Sequence, residues 1–338
     1  MSEIQHGLYP KHHLWGIDGL EHSDNFETEM IKTEELMINR LLERVLNKTF
    51  FKGTLGAKIE LSALKASRYS SFIYSVCGPL AVAKFVPQKI ISWVFRPPKK
   101  LSQHYFNSYS KKNLSSQSGF FCLTKKAEEY FSQFSSAKFI PWCVDLDLFD
   151  GRQAKAKTQF FLASGKTGRD YETLIKASQL TKTEIRIIGP NKQKPATLPI
   201  NVRWIDTSAN PPDQAIDYPT LRNWYAECIA VCIPLSGEAE DTCGYTNMLE
   251  AMAMRKPVVM TRSGSLHIDP ESGGFGKLIE PKNYKGWAIA MNELIESKEV
   301  AQNLGENGRK IAERGYTIER FNRDMLSFLK SSLDLIEK

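Results

Sequence analysis

The six cysteines of this chain (Cys77, Cys122, Cys143, Cys228, Cys232 and Cys243) include no C-x-x-C pair and sit mostly among apolar residues. That argues against a disulfide framework and for free thiols in a reducing compartment. No window holds the roughly twenty consecutive apolar residues that span a bilayer. The nearest candidate, Phe72 to Phe95, is interrupted by Lys84, Pro87, Gln88 and Lys89. The opening MSEIQHGLYPKHH lacks the apolar core of a signal peptide. No G-x-G-x-x-G joins a strand to a helix, which sets aside the dinucleotide fingerprint. Gly165-Lys166-Thr167 resembles the end of a P-loop, but Phe160 stands where that motif needs its first glycine. G-x-S-x-G is absent too, and the turn Ser263 to Ser265 has no hydrolase context. His12-His13, with His6 and His22, is followed by no cysteine or carboxylate at ligand spacing, so the stretch reads as an exposed loop and no structural metal is expected.

What is present is a globular composition: 42% hydrophobic, 25% charged and 11% aromatic residues over 338 positions. That length exceeds what one core usually organises, so two domains with a cleft between them are expected. The net charge of +7 fits nucleic acid, an anionic membrane or phosphorylated small molecules. Its densest clusters, Arg96 to Lys100 (RPPKK) and Lys111-Lys112, lack the aromatic ladder of a single-strand groove, so no nucleic-acid partner is expected. They read either as a solvated face or as a contact for an anionic membrane or acceptor. The location expected is cytoplasmic, with peripheral membrane contact through the basic N-terminal half.

Short β-type runs alternate with helical patterns from end to end, the signature of α/β folds with parallel sheets. In the first half, strands are expected at Glu3 to Leu8, Phe26 to Ile31, Ser71 to Val76, Ile90 to Phe95, Gly119 to Leu123 and Lys138 to Pro141. Helices are expected at Glu34 to Leu46, Leu101 to Lys112 and Lys125 to Phe134. A polar stretch places the linker near Phe149 to Lys157. Beyond it come strands at Gln159 to Ala163, Glu184 to Ile188, Val202 to Ile205, Ala230 to Leu235 and Pro257 to Thr261. Helices at Tyr171 to Leu180, Pro219 to Cys228 and Tyr245 to Met254 lie between them, and Gly286 to Glu296 and Val300 to Glu337 close the chain as helix. The domains expected are 1–150, 151–320 and a terminal helix 321–338 packing across both.

Two segments of the second half carry chemistry. The run FFLAS ends in Gly165-Lys166-Thr167-Gly168-Arg169, at the carboxyl end of a strand where open α/β sheets bind ligands. Lys166 and Arg169 there offer two cations that suit a diphosphate, although an ordinary turn with surface cations has the same composition. After the strand AVCIPL and its loop, Gly244 precedes the helix TNMLEAMAM, whose N-terminus favours an anion. Glu250 lies in the small apolar part of that helix, with Met254 rather than a cation at i+4, so its carboxylate needs a hydroxyl partner. A ribose supplies one; a helix-surface ion pair is the alternative.

These stretches, with RKPVVMT and the tail from LIEP to E-N-G-R-K, resemble the donor domain of the large retaining glycosyltransferase family that includes sucrose-phosphate and glycogen-type synthases. The resemblance covers Gln159 to Phe328 and implies a GT-B fold, two Rossmann-like domains facing each other across a cleft. It implies transfer of a sugar from a nucleotide-diphosphate donor to an acceptor hydroxyl on a glycan, lipid or small molecule, with retention and without a metal or other cofactor. Lys166 and Arg169 match the family's basic pair and are the catalytic candidates. Glu250 matches the second glutamate of its Glu-x7-Glu motif, while Thr242 stands where the first would be, with Glu240 and Asp241 beside it. Gly165, Gly244, Tyr245 and Thr246 complete the donor-binding set.

In the first half HGLYPKHHLWGID resembles the family's first strand and glycine loop, which makes Gly16 a further donor-binding candidate. Arg96 occupies the region where the family often has a histidine. A degenerate transferase acting as a binding or scaffold subunit fits the Thr242 departure. A sugar-nucleotide epimerase fits less well, because His267 is the second half's one histidine.

Overall fold

The segment Phe160–Ser164 is buried at every position, as a strand covered on both faces must be. In the computed structural model it lies in the middle of one of two parallel sheets. Residues 6–31, 33, 36–101, 103–151, 159–207, 216–236, 242–262 and 266–333 are described. The chain divides into two compact units, one made of Trp15–Pro141 with Phe321–Lys338, the other of Met1–Leu14 with Trp142–Arg320. The segment 152–158 of the expected linker lies outside the described residues.

The first unit opens with α1 (Ile17–Glu21), α2 (Arg40–Lys48) and α3 (Ala57–Ala66). A four-stranded sheet follows: β1 (Phe72–Ser75), β2 (Lys89–Val94), β3 (Gly119–Cys122) and β4 (Ala137–Phe139), in that spatial order and parallel throughout. Between strands lie α4 (Lys111–Leu114) and α5 (Lys125–Phe131). Trp93 is fully buried, stacked on Phe121 and on Phe321.

Several expected elements of this half are absent. Residues 6–8 of the expected opening strand form a turn, since Gly7 takes φ 66° and Pro10 has no N–H for a ladder; residues 3–5 lie outside the described set. Phe26 to Ile31 is no strand: Phe26 packs edge-on against Phe72 while Glu27 and Glu29 stay exposed, so no ladder forms. The helix expected from Glu34 begins at Arg40, where the Asn39 side chain accepts from Leu41 N. Among the described residues of Leu101 to Lys112 only the start of α4 is helical: Asn107 Oδ1 accepts from Tyr109 N and holds a turn before it, and Ser110 Oγ accepts from Asn113 N as the cap from which α4 begins. Conversely, α3 was not anticipated. Its buried Glu60 breaks the apolar stripe, yet both carboxylate oxygens accept backbone N–H groups, of Ala81 and Val82, at 3.1 Å.

The second unit holds six parallel strands in the order β10-β9-β8-β5-β6-β7. They are β5 (Phe160–Ser164), β6 (Glu184–Gly189), β7 (Val202–Asp206), β8 (Ala230–Ile233), β9 (Val258–Thr261) and β10 (Gly276–Ile279). Helices α6 (Tyr171–Ser178), α7 (Tyr218–Glu227), α8 (Tyr245–Ala253), α9 (Tyr284–Glu296) and α10 (Lys298–Gly315) cover the sheet, and α11 (Ile318–Ser332) follows. The chain runs outward from β5 to β7, then returns to lay β8 on the other side of β5. The order therefore reverses between β5 and β8, and the crevice at their carboxyl ends is where such sheets bind ligands.

Candidate functional site

Two loops leave the β5/β8 switch point. The one after β5 is the turn Gly165 to Asp170; the one after β8 leads into α8. They are tied together, with Ser236 N donating to Gly168 O at 3.0 Å and Asp170 N donating to Pro234 O at 2.9 Å. Asp170 caps α6 by accepting from Thr173 N and the Thr173 hydroxyl, and pairs with Lys282 at 2.9 Å. Burial opposes the Asp170 carboxylate, but the Thr173 and Lys282 contacts outweigh it and its pKa is lowered.

Arg169 folds back across this turn. Its Nε donates to Ser164 O at 3.1 Å, Nη1 to Thr167 O at 3.0 Å and Nη2 to Asn247 Oδ1 at 2.7 Å. Gly165 makes room for it: at φ 141°, a Cβ would stand 2.4 to 2.6 Å from the guanidinium. Lys166 lies half-buried on the same turn. Gly244 is the N-cap of α8 at φ 85°, a left-handed conformation that glycine adopts without strain, and its Cβ position is closed by Ile233 at 2.6 Å. The first turn of α8 carries Tyr245, Thr246 and Asn247, and Thr242 O accepts from Tyr245 N at 3.1 Å. Glu240 and Asp241 lie outside the described residues, as do Ser263 to Ser265.

From Arg169 a continuous chain of hydrogen bonds reaches Glu250. Asn247 Nδ2 donates to the Ser164 hydroxyl at 2.9 Å and to the Tyr225 hydroxyl at 3.2 Å. Tyr225 OH donates to Glu250 Oε2 at 2.7 Å. Burial, then the Glu250 charge beside it, pushes the Tyr225 phenol far above its ordinary value, so it remains a donor. The hydroxyl that Glu250 requires is thus supplied on one side by the protein itself, and Glu250 is 3% exposed.

On its other side stands His12, and here the expectation of an exposed histidine loop is overturned. His12 is 2% exposed, packed between Trp142 and Phe149, because the first fourteen residues belong to this unit. Asp145 N donates to His12 Nδ1 at 3.1 Å. An imidazole that accepts at Nδ1 carries its hydrogen on Nε2, and that atom faces Glu250 Oε1 at 3.6 Å. The separation is too long for a hydrogen bond, and Nε2 is buried without an acceptor.

His12, His13 and Glu250 bring one ligand atom each within 4.8 Å of one another. A metal at this trio does not fit the hydrogen bonding: Nε2 of His12 presents a hydrogen rather than a lone pair, and His13 Nε2 is 3.0 Å from the Tyr218 hydroxyl.

The structure therefore places Gly165, Lys166, Arg169, Thr242 and Gly244 on the two loops of one switch point, and Tyr245, Thr246 and Glu250 on the helix α8 that the second loop opens. Gly16 is elsewhere, in the first unit, buried against Met325 and Phe321. Sequence reasoning missed Asn247, Tyr225, Ser164 and His12. Asn247 was within reach, since it sits three residues before Glu250 on one helix face.

Residues 166–297 match the family described as Glycosyl transferases group 1. No curated protein matches the chain in sequence. Among solved structures it is similar to a sucrose-phosphate synthase from Thermosynechococcus elongatus, at 16% identity and TM-score 0.65, over 93% of this chain and 85% of that one. It is also similar to a glycosyltransferase from Rickettsia africae ESF-5, at 15% identity and TM-score 0.61, over 94% and 87%. Anabaena HepE in complex with UDP aligns at 16% identity and TM-score 0.57, over 82% and 83%. These likenesses show the fold: two parallel α/β sheets of the GT-B type.

Proposed function

We propose that this chain, whose residues 166–297 carry the glycosyl transferases group 1 match on a GT-B fold, moves a sugar from a nucleoside-diphosphate donor to an acceptor hydroxyl with retention of configuration. One observation carries the reading: a hydrogen-bonded path from Arg169 through Asn247 and Tyr225 to Glu250 joins a diphosphate-type cation to a buried carboxylate. A diphosphate and the ribose attached to it need that pair of groups together.

In this reading Lys166, Arg169 and the α8 N-terminus at Gly244 to Thr246 stabilise the charge that grows on the leaving β-phosphate, with no metal required. Gly165, Thr242 and Tyr245 border the same donor. A ribose hydroxyl enters between His12 Nε2–H and Glu250 Oε1, accepting from the first and donating to the second, which removes the one unpartnered donor of the cluster. UDP is the donor nucleotide we favour, because Anabaena HepE binds it on the same fold. Four of the six cysteines are buried and none forms a C-x-x-C pair, which suits a reducing, cytoplasmic setting.

Loss of either cation is expected to lower turnover about 100-fold. The assignment is tested by titrating the wild type and Glu250→Gln with a panel of nucleoside diphosphates. Equal affinity of both proteins for every member rejects it. A second reading, a binding or scaffold subunit without turnover, is favoured by Thr242, which stands where the resemblance implies the first glutamate. Release of nucleoside diphosphate in the presence of an acceptor extract separates the two.

A further inference from the structure

A surface helix normally turns its apolar stripe inward and its polar face to water. Helix α2 leaves much of that stripe in water. Its sequence RLLERVLNK places Leu41, Leu42, Val45 and Leu46 on one arc and Glu43 and Asn47 on the opposite arc. Two side chains of the polar arc tie the helix to α3: Asn47 Oδ1 accepts from Ala57 N at 2.7 Å, and Glu43 pairs with Lys58 at 3.5 Å. The apolar arc faces out, with Leu41, Leu42 and Val45 exposed by 69%, 52% and 49%, and no residue of the helix is buried. Along one border run Arg40, Arg44 and Lys48 at i, i+4 and i+8.

Two residues past the helix, Phe50 opens a cluster of aromatic rings. Phe50 packs on Phe106 with centroids 3.6 Å apart, Phe106 lies 5.5 Å from Phe85, and Phe85 lies 5.9 Å from Tyr105. Phe50, Phe85 and Tyr105 are all exposed. Lys84 Nζ stands over the Tyr105 ring at 3.2 Å, and Lys112 Nζ at 5.0 Å.

We propose that α2 and this aromatic cluster form a docking surface for an anionic lipid membrane. Exposed leucines flanked by a row of cations, with aromatic rings beside them, are what an interfacial segment needs to enter the headgroup layer. The complementary charge is that of acidic headgroups. A second copy of the chain would bring the same cations and no row of carboxylates, since the one acid of α2 is turned to Lys58.

The test is co-sedimentation of the full chain with vesicles of phosphatidylcholine alone and of phosphatidylcholine mixed with phosphatidylglycerol. No donor is added, so failure of the transferase reading leaves this measurement unaffected. The wild type is expected to bind the mixed vesicles, and binding should weaken as salt is raised. The double variant Arg44→Glu/Lys48→Glu should lower the partition coefficient by at least about fivefold per charge removed. Leu41→Glu/Val45→Glu should abolish binding, with unchanged circular dichroism because both positions are exposed. Ile200→Glu alters an exposed apolar residue of the second unit and should change nothing. The proposal is overturned if the wild type ignores the mixed vesicles, or if Leu41→Glu/Val45→Glu binds them undiminished. It is equally overturned if the wild type elutes as a dimer that this variant dissolves, which assigns the face to a second copy.

Discussion

Arg169 Nη2 donates to Asn247 Oδ1 at 2.7 Å, which fastens the turn after β5 to the first turn of α8. The same amide's Nδ2 reaches the Tyr225 hydroxyl, so Asn247 links the cationic turn to the phenol that bonds Glu250. Asn247→Leu removes the acceptor and both donors while roughly keeping volume. Nucleoside-diphosphate affinity should fall by about tenfold, equivalent to about 1.4 kcal/mol, and stability by about 1 to 3 kcal/mol. Isothermal titration and urea unfolding measure the two separately. Unchanged affinity would show that the path from Arg169 to Glu250 plays no part in binding.

His12 is held in one tautomer by the Asp145 N–H, and long-range proton–nitrogen NMR should show its hydrogen on Nε2 at neutral pH. His12→Phe keeps a ring between Trp142 and Phe149 but leaves Asp145 N–H without its acceptor, at a cost of about 1 to 3 kcal/mol. In the wild type, UDP should bind more tightly than its 2′-deoxy or 3′-deoxy analogue. In the variant that preference should shrink, because half of the hydroxyl bracket is gone. An identical preference in both proteins rules out the bracket.

These two residues mark the limit of what the sequence makes legible. Strands β5, β8 and β9 are apolar runs buried at every position, and β6 is buried beyond its first residue, so local pattern finds them; β7 (VRWID), with only Val202 buried, is legible from its β-branched and aromatic residues between polar turns. Strand β10 (Gly276–Ile279) escapes, because an edge strand of four residues with a glycine and a lysine has no distinctive period. The basic turn and the α8 N-terminus are also local features, and their meeting follows from the strand order. His12 against Glu250 is not local: it depends on the first fourteen residues joining the unit that begins at Trp142. In the first half, Asn107 shows the opposite failure, where a side-chain bond to the backbone holds a turn inside an expected helix.

Asp170 carries the pH dependence of the basic turn. Its carboxyl titrates lower in the folded chain than unfolded, so its contribution to stability is complete above about pH 4 and disappears as pH falls through the folded value. Asp170→Asn keeps an oxygen for Thr173 N and removes the charge that meets Lys282. At pH 7 the variant should be less stable by at most about 1 kcal/mol, since Lys282 is exposed and screened. Urea unfolding at a series of pH values should show the gap closing in acid, and a gap that widens there contradicts the assignment.

Gly165 offers a way to displace Arg169 without deleting it. A Cβ at this position would meet Nη2, Nε and Cζ of Arg169 at 2.4, 2.5 and 2.6 Å. Those atoms end a flexible side chain, so Gly165→Ala relieves the clash by swinging the guanidinium away from Ser164 O and Asn247 Oδ1. The φ of 141° adds backbone strain of about 1 to 3 kcal/mol, which a two-domain protein of this size tolerates. The variant should therefore fold, show a lowered melting temperature and lose turnover nearly as severely as Arg169→Ala. Combining the two substitutions discriminates: with Arg169 already truncated, Gly165→Ala should cost little further activity. Full additivity of the two losses would mean that Gly165 serves the site by some route other than making room for that arginine.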